Sequence, residues 1–338
     1  MPQQVRYRQQ GKQVGFSANN RVTADMSRGM VYRELFIRLR GQPTIAAIDN
    51  TSANTQRGDA WGVIKKIEVV ANGNDTLKSL DGNALWWLNY FLYGQTPRIS
   101  AIIADAATVN PAFDVGLILP FWMPRAVSPM DTALDSRNLS SLEIAITWGD
   151  YTDINSAATG WTAEPTIDVW SLESFNISGP FSVWRIHDIE KTITATSSRF
   201  QVQLPIGRMY RGFLINTTVG GVDVSNVLNN FKLVSGTTVF ADISAGDNVL
   251  QQWVAERLNL PRNFNTTNNA YDPLRRGDAN DVTGWVWYEQ VTDGLLSESI
   301  DTLGFSELTM DLDVTVGGGT TKINILPMEI TPVRGNTG

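Results

Sequence analysis

The side chains that most enzymes use for nucleophilic or metal chemistry are nearly missing from this chain. Its 338 residues include no cysteine and one histidine, His187, which stands beside Asp188. A Ser-His-Asp triad or a histidine-containing metal cluster would have to use this residue, so we interpret it as a structural histidine. Without cysteine there is neither a disulfide nor a thiolate metal site. We therefore expect no metal site and no cofactor.

Pairs of carboxylates are the remaining route to an enzyme, because glycosidases place two acids on either side of a sugar. The candidate acids are scattered through turns and outward strand positions: Glu143, Glu164, Glu173, Asp131 and Asp135. Asp135 recurs as Asp301 in the second half of the chain, which is typical of a turn residue or a cap and not of one active site. The sequence therefore predicts no catalytic residue and a protein that is not an enzyme.

Two features of the sequence could indicate binding of a carbohydrate or a receptor. Eleven tryptophans could line a carbohydrate groove, and Trp161 in the segment GWTAEP is the best placed of them. The tripeptide RGD occurs at 57–59 and 276–278, although Gly-Asp is also ordinary turn chemistry. Most tryptophans lie in strand or helix patterns, where packing explains them. A carbohydrate- or receptor-binding β-sandwich, such as a spike or adhesin, is the alternative interpretation.

Positive charge is concentrated at the N-terminus. The chain has a net charge of −7, yet residues 1–24 contain no acid and four basic residues, Arg6, Arg8, Lys12 and Arg21. Such an arm could lie on anionic lipid headgroups or on the phosphates of a genome. A disordered tail explains the same pattern equally well.

The elements that would position these residues are mostly strands. Short alternating runs are broken by Gly, Asn, Asp and Pro, and SLEIAITW places Leu142, Ile144 and Ile146 on one face. Two antiparallel sheets packed face to face are the expected result. One helix is predicted in each half, at about 82–93 and 246–258. Asp81 is the predicted N-cap of the first helix and Gly94 its C-terminal stop.

The two helices differ in their patterns. In the second, Leu250, Trp253, Val254 and Leu258 form an apolar stripe and Gln251, Gln252, Ala255 and Glu256 a polar back. The first helix has no polar back, because aromatic side chains surround its axis. We therefore predict a subunit or domain interface at Trp86, Trp87, Tyr90 and Tyr93.

The order of these elements occurs twice. Residues 62–97 and 226–261 align without a gap as strand, turn, strand, helix and proline, so that Ile67 matches Phe231 and Gly82 matches Gly246. Upstream, 21–38 matches 199–216, and downstream, 134–146 matches 300–312. We predict a basic arm at 1–20 and two domains of similar fold at 21–178 and 179–338.

On these residues, above all KKIEVVANGNDTLKSLDGNALWWLNY and its second copy, the chain resembles the double jelly-roll major capsid proteins of tailless icosahedral viruses, including tectivirus-like and corticovirus-like bacteriophages. The resemblance implies an all-β fold of two tandem eight-stranded jelly rolls, each with an inserted α-helix. It also implies a structural virion protein whose homotrimers form pseudo-hexagonal capsomers that tile an icosahedral shell.

The same resemblance implies the partners of the chain. These are further copies of itself, first in the homotrimer and then between capsomers, together with minor capsid or vertex proteins. Internal membrane lipids or the genome would meet the N-terminal arm, and no small-molecule substrate is expected. We expect the protein to be made in the host cytoplasm and to reside in the virion, since no apolar run is long enough to span a bilayer and no signal peptide is present.

Overall fold

The computed structural model describes residues 4–11, 13–45, 59–95, 97, 109–177, 179, 181–225, 227–244, 246–258 and 284–331. This part of the chain divides into two compact units, one ending at His187 and the other running from Asp188 to Thr331. The division predicted from the sequence, between residues 178 and 179, lies just before the last strand of the first unit. Among the described residues, each unit is built mainly of antiparallel strands and carries one α-helix.

The first unit contains eleven strands among its described residues. They are β1 (Gln4–Gln9), β2 (Val14–Gly15), β3 (Arg21–Asp25), β4 (Val31–Thr44), β5 (Ile64–Ala71), β6 (Asp75–Leu80), β7 (Phe113–Pro120), β8 (Leu134–Asp135), β9 (Leu142–Trp148), β10 (Gly160–Phe175) and β11 (Val183–Ile186). One sheet has the order β1-β10-β4-β7, with β2 also on β10 and β8 on β4. The other has the order β11-β6-β5-β9-β3.

Alternation of side chains along these strands creates the core of the first unit. In β4, Leu35, Ile37 and Leu39 are completely buried, whereas Phe36 between them points outward. The predicted inward face of β9, Leu142, Ile144 and Ile146, is buried as well. Each sheet therefore turns one apolar face toward the other, which is the arrangement that the alternation predicted.

Helix α1 (Gly82–Tyr93) is the helix predicted in the first half. The side chain of Asp81 accepts a hydrogen bond from the Ala84 N–H, and Gly94, in the left-handed conformation with φ of 64°, ends the helix. The Asn89 side chain fixes the helix to β7, because it donates to the Ile118 carbonyl at 2.7 Å and accepts from the Ile118 N–H at 2.9 Å.

The second unit contains ten described strands and one helix. They are β12 (Ile189–Ile193), β13 (Ser197–Gln203), β14 (Met209–Val219), β15 (Val222–Asp223), β16 (Leu228–Ser235), β17 (Thr238–Ser244), α2 (Gly246–Leu258), β18 (Trp285–Glu289), β19 (Ile300–Asp301), β20 (Thr309–Val314) and β21 (Thr321–Thr331). β21 pairs with β12 and β14, and β14 also pairs with β15, β18 and β19. The facing sheet has the order β13-β20-β16-β17.

The strand order of the second unit repeats that of the first. β12-β21-β14-β18 corresponds to β2-β10-β4-β7, and β13-β20-β16-β17 corresponds to β3-β9-β5-β6. Each helix follows the strand equivalent to β6 and precedes the strand equivalent to β7. The predicted plan of eight strands and one inserted helix per unit is therefore confirmed.

Individual hydrogen bonds repeat together with the strands. The Tyr32 hydroxyl donates to the Ser27 carbonyl five residues earlier, and the Tyr210 hydroxyl donates to the Pro205 carbonyl, also five residues earlier. Both tyrosines are completely buried. Each hydroxyl thus satisfies a carbonyl at the entry to the long central strand of its unit.

A second repeated contact joins the turn after β8 to the start of β4. The Ser136 hydroxyl donates to the Met30 carbonyl at 2.7 Å, and the Thr302 hydroxyl donates to the Arg208 carbonyl at 2.6 Å. The preceding residue is an aspartate in both units, and its carboxylate accepts the backbone N–H two residues further on. This confirms that Asp135 recurs as Asp301 because both form the same turn.

The faces predicted for the second helix are wrong at two positions. Gln251 is buried and donates from its amide to the Trp285 carbonyl at 3.0 Å. Trp253, assigned to the apolar stripe, is 61% exposed. The buried face runs through Leu250, Gln251 and Val254, because a hydrogen-bonded amide can replace an apolar side chain in a helix interface.

Candidate functional site

The residues that could have served an enzyme are dispersed and occupied by structural contacts. His187 is half-buried and is the last residue of the first unit. Asp135 binds Arg137, and Asp131 accepts from the Ser128 hydroxyl at 2.8 Å. Among the described residues, no group of three or more histidine, aspartate or glutamate side chains is arranged to hold a metal ion.

The other three candidate acids, Glu143, Glu164 and Glu173, lie on strands of the first unit. Glu143 is on β9, in one sheet of the first unit, and Glu164 is exposed on β10, in the other. Glu173, also on β10, is completely buried. Glu143 thus lies in a different sheet from Glu164 and Glu173, and the carboxylate of Glu173 is inaccessible to a sugar.

The tryptophan proposed for carbohydrate binding is engaged within the first unit. Trp161 belongs to β10, not to a loop, and its ring packs edge-on against Phe16 at 5.4 Å and Tyr151 at 6.3 Å between ring centroids. Trp161 is therefore explained by packing against neighbouring aromatic rings of the first unit. The RGD tripeptides lie outside the described residues except for Asp59, which begins a short 3-10 turn.

The predicted basic arm is part of a sheet over half of its described length. β1 pairs with β10 from Gln4 opposite Phe175 to Gln9 opposite Trp170, and β2 also pairs with β10. The explanation of this segment as a disordered tail is therefore wrong for residues 4–9 and 14–15. β1 forms the edge of its sheet, and Tyr7 on it is 82% exposed.

The four basic residues predicted to face a membrane or genome do not form one patch. Arg6 and Arg8 lie on β1, whereas Arg21 lies on β3 in the other sheet and binds Glu68 at 2.9 Å. Arg8 is exposed, and Lys12 lies outside the described residues. Only Arg6 and Arg8 are therefore brought together, and the role of the four residues remains a prediction.

Arg6 takes part in a buried polar cluster that the sequence did not predict. Its Nε donates to Glu173 Oε2 at 2.8 Å, and the other carboxylate oxygen of Glu173 accepts from Gln10 at 2.7 Å and from the Ser171 hydroxyl at 2.8 Å. Glu173 and Gln10 are both buried. A buried carboxylate needs such a set of donors, and β1 together with the residue after it supplies two of the three.

The aromatic side chains of α1 are buried within the first unit. Trp86 and Trp87 are each 6% exposed and Tyr90 is 2% exposed, while Tyr93 is half-buried. The helix packs against β5, β7 and the 3-10 turn of residues 59–63. The interface role of these side chains remains a prediction, and they have little surface left for a further contact.

An apolar surface that the sequence assigned to the interior lies beside α2 in the second unit. The exposed Trp253 lines a groove with a cavity volume of about 350 Å³, together with Phe240 on β17 and Trp287 on β18. The sequence signal was misleading, because a tryptophan in a helical pattern is usually a packing residue.

None of the described helices is long and apolar enough to cross a membrane.

Comparison with solved structures identifies the fold. The STIV MCP matches with a TM-score of 0.71 at 11% identity, over 98% of this chain and 97% of that chain. The major capsid protein P2 of bacteriophage PM2 matches with a TM-score of 0.63 at 12% identity, over 98% and 99%. The PBCV-1 virus capsid model matches with a TM-score of 0.62 at 13% identity, over 98% and 95%.

This chain has a double jelly-roll fold. The matches span nearly the full length of both chains in each comparison, so they include both units and not one of them alone. No protein-family model and no curated protein matches the sequence. At 11 to 13% identity the likeness is one of architecture, as expected when alternation and turn chemistry are retained and individual side chains are not.

Proposed function

We propose that this chain is a major capsid protein, a structural subunit that self-associates into the shell of an icosahedral virus. The observation that carries the proposal is the match over nearly the whole chain to proteins described as viral capsid proteins. The described residues support a structural role, since the candidate catalytic side chains are scattered or bound by structural partners. The protein would then act by binding copies of itself, without a substrate or cofactor.

The duplicated fold suggests the form of the assembly. Three copies of a chain with two similar units would present six similar units around one axis, so that a threefold symmetric trimer approximates a hexagon. Such trimers tile a surface without requiring six identical chains. We propose a homotrimeric capsomer of this kind, incorporated into the virion after synthesis in the host cytoplasm.

Further partners follow from the location of the subunit in a shell. Capsomers would contact one another and the minor proteins at the vertices. The basic N-terminal residues, of which Arg8 is exposed on the edge strand β1, would face internal membrane lipids or the genome. We expect a truncation of residues 2–14 to impair particle assembly or membrane association, although it also removes β1 and two donors to Glu173.

Mass and shape in solution test the proposal directly. Light scattering after gel filtration should give about 110 kDa, three times the 37.3 kDa of one chain. Negative-stain images should show hexagonal outlines with threefold symmetry, and concentrated samples should form hexagonal arrays. A protein that stays monomeric at all concentrations and forms no ordered array would contradict the proposal.

A further inference from the structure

One cavity of the first unit brings two arginines together from distant parts of the chain. It has a volume of about 350 Å³ and is lined by Arg6, Gly29, Met30, Val31, Arg137, Ser174, Phe175 and Asn176. These residues come from β1, from the start of β4, from the turn after β8 and from the end of β10. The volume falls in the range of small-ligand sites.

Arg6 has one hydrogen-bond donor that the described residues leave without an acceptor. Its Nε is held by Glu173 at 2.8 Å, while its Nη2 is buried and makes no hydrogen bond. Glu173 already accepts from Gln10 and Ser171 through its other oxygen. The guanidinium is therefore fixed in orientation while one of its buried N–H groups lacks a partner, which is costly for a charged group.

Arg137 holds the second positive charge at the cavity in a fixed orientation. Its Nε and Nη2 donate to the two carboxylate oxygens of Asp135 at 2.8 and 2.6 Å, and its Nη1 donates to the Ile177 carbonyl at 3.0 Å, so an anion would use the remaining N–H groups. About two fifths of each arginine side chain is exposed, 38% for Arg6 and 41% for Arg137. An anion entering from solvent would meet the exposed part of both arginine side chains, and a small shift of the side chains that cover Arg6 Nη2 would open that donor to it.

We propose that this cavity binds a phosphate group through Arg6 and Arg137. A tetrahedral oxyanion supplies the acceptor that Arg6 Nη2 lacks, and guanidinium groups match phosphate oxygens in geometry as well as charge. The group could be free inorganic phosphate or the headgroup of an anionic lipid. The inference is independent of the capsid proposal, because it uses only contacts within the first unit.

Calorimetric titration of the full chain with inorganic phosphate, in a chloride buffer, tests the site. We expect saturable binding below about 10 mM phosphate. Arg137→Gln should weaken this binding by about tenfold or more, since it removes one charge-assisted contact. The double variant Arg6→Gln, Glu173→Gln should have a similar effect, and it removes both members of the buried pair so that no lone carboxylate is left in the core.

The matched control is Arg38→Gln on β4, which removes an arginine of the first unit that is paired with Asp114, is 35% exposed and lies outside the cavity and the N-terminal arm. Its affinity should stay within about twofold of the parent chain. Vesicles of phosphatidylcholine with and without phosphatidylglycerol identify the source of the phosphate. Binding to the anionic vesicles that is lost in the two cavity variants and kept in Arg38→Gln assigns a lipid headgroup, whereas binding of inorganic phosphate alone assigns the free ion.

Two results would overturn the site. One is the absence of saturable binding of either probe to the parent chain. The other is an equal loss of affinity in Arg38→Gln and in the cavity variants, which would indicate general charge attraction. Solution mass measured on the same variants separates this test from that of the capsid proposal, because loss of phosphate should leave the oligomeric state unchanged.

Discussion

Replacing Lys78 by methionine should stabilise the first unit at neutral pH. Lys78 on β6 is completely buried, and its Nζ makes no hydrogen bond to the described residues. The ammonium lies 4.0 Å from the centroid of the Trp184 ring and 5.8 Å from that of Phe121. Burial lowers the pKa of Lys78 well below its ordinary value, and the positive charge of Arg185 lowers it further.

The magnitude follows from the two states available to this amine. If Lys78 is neutral in the folded chain, it lowers the free energy of unfolding at pH 7 by up to about 5 kcal/mol, because the unfolded chain takes up the proton with a pKa near 10.4. A lysine that stays charged bears a desolvation cost, offset by about 2 kcal/mol of cation–π attraction. Methionine fills a similar volume and avoids both costs, so we expect Lys78→Met to add about 1–4 kcal/mol at pH 7.

The duplication supports the same expectation. Lys78 pairs with Val69 across the first hairpin, and in the second unit Leu233, the counterpart of Val69, pairs with Ala241, one position before the Asp242 that the gap-free sequence alignment matches to Lys78. Ala241 is 9% exposed. The framework therefore accepts an apolar residue at this position, and no shared feature of the two units requires the lysine.

Urea unfolding followed by tryptophan fluorescence at several values between pH 7 and pH 9 is the assay. Since the native state binds the Lys78 proton more weakly than the unfolded state, the parent chain gains stability as the pH rises toward the unfolded pKa, by up to about 1.4 kcal/mol per pH unit. Lys78→Met lacks this contribution, so its advantage should shrink with rising pH.

Lys66 on the adjacent strand β5, whose side chain is 45% exposed, supplies the control. Lys66→Met removes only a surface pair with Glu68, so we expect a change below about 1 kcal/mol that does not depend on pH. A Lys78→Met chain that is less stable than the parent, by an amount independent of pH, would refute the reasoning, because it would show that the buried ammonium stabilises the fold.

Other predictions concern the repeated elements. Tyr32→Phe and Tyr210→Phe should each lower the free energy of unfolding by about 1–3 kcal/mol, because each leaves a carbonyl without its donor; urea unfolding of the two variants measures this. Gln251→Ala should lower the free energy of urea unfolding by about 1–3 kcal/mol and Gln252→Ala should hardly change it, since the first residue is buried and the second exposed. Equal effects would contradict the observed buried face of α2. Gly82→Ala should lower the melting temperature, because the added Cβ would meet a backbone carbonyl of the preceding 3-10 turn.

The sequence was sufficient to predict the two repeated units because its signals were local. Alternation along SLEIAITW and ELTMDLDV identifies buried strand faces, since the period of two matches the pleat. Asp81 and Gly94 bound α1 through their own backbone chemistry. These features depend on residues close in the chain, so they can be recognised without knowing which strands pair.

The N-terminal strand could not be predicted because its stability depends on distant residues. QVRYRQ has few apolar side chains, and Val5 and Tyr7 among them are exposed at 45% and 82%. What holds the strand is backbone pairing with β10 and the contact of Arg6 with Glu173, which are 167 positions apart. Composition alone therefore reads this segment as a solvated basic tail.

The buried glutamates give a signal that an alignment of the two halves would have revealed. Glu173 lies opposite Tyr32 on the neighbouring strand, and Glu329 lies opposite Tyr210 in the same way. Both acids are buried, yet Glu173 binds Arg6 from β1, whereas Glu329 binds Arg208 at the entry to β14. The buried acid occupies equivalent positions in the two units, so it belongs to the framework that they share. The cation that neutralises it comes from a different place in each unit. In the first unit this positive charge is supplied by Arg6 on β1, whereas in the second unit it is supplied by Arg208, which lies within the repeated segment itself.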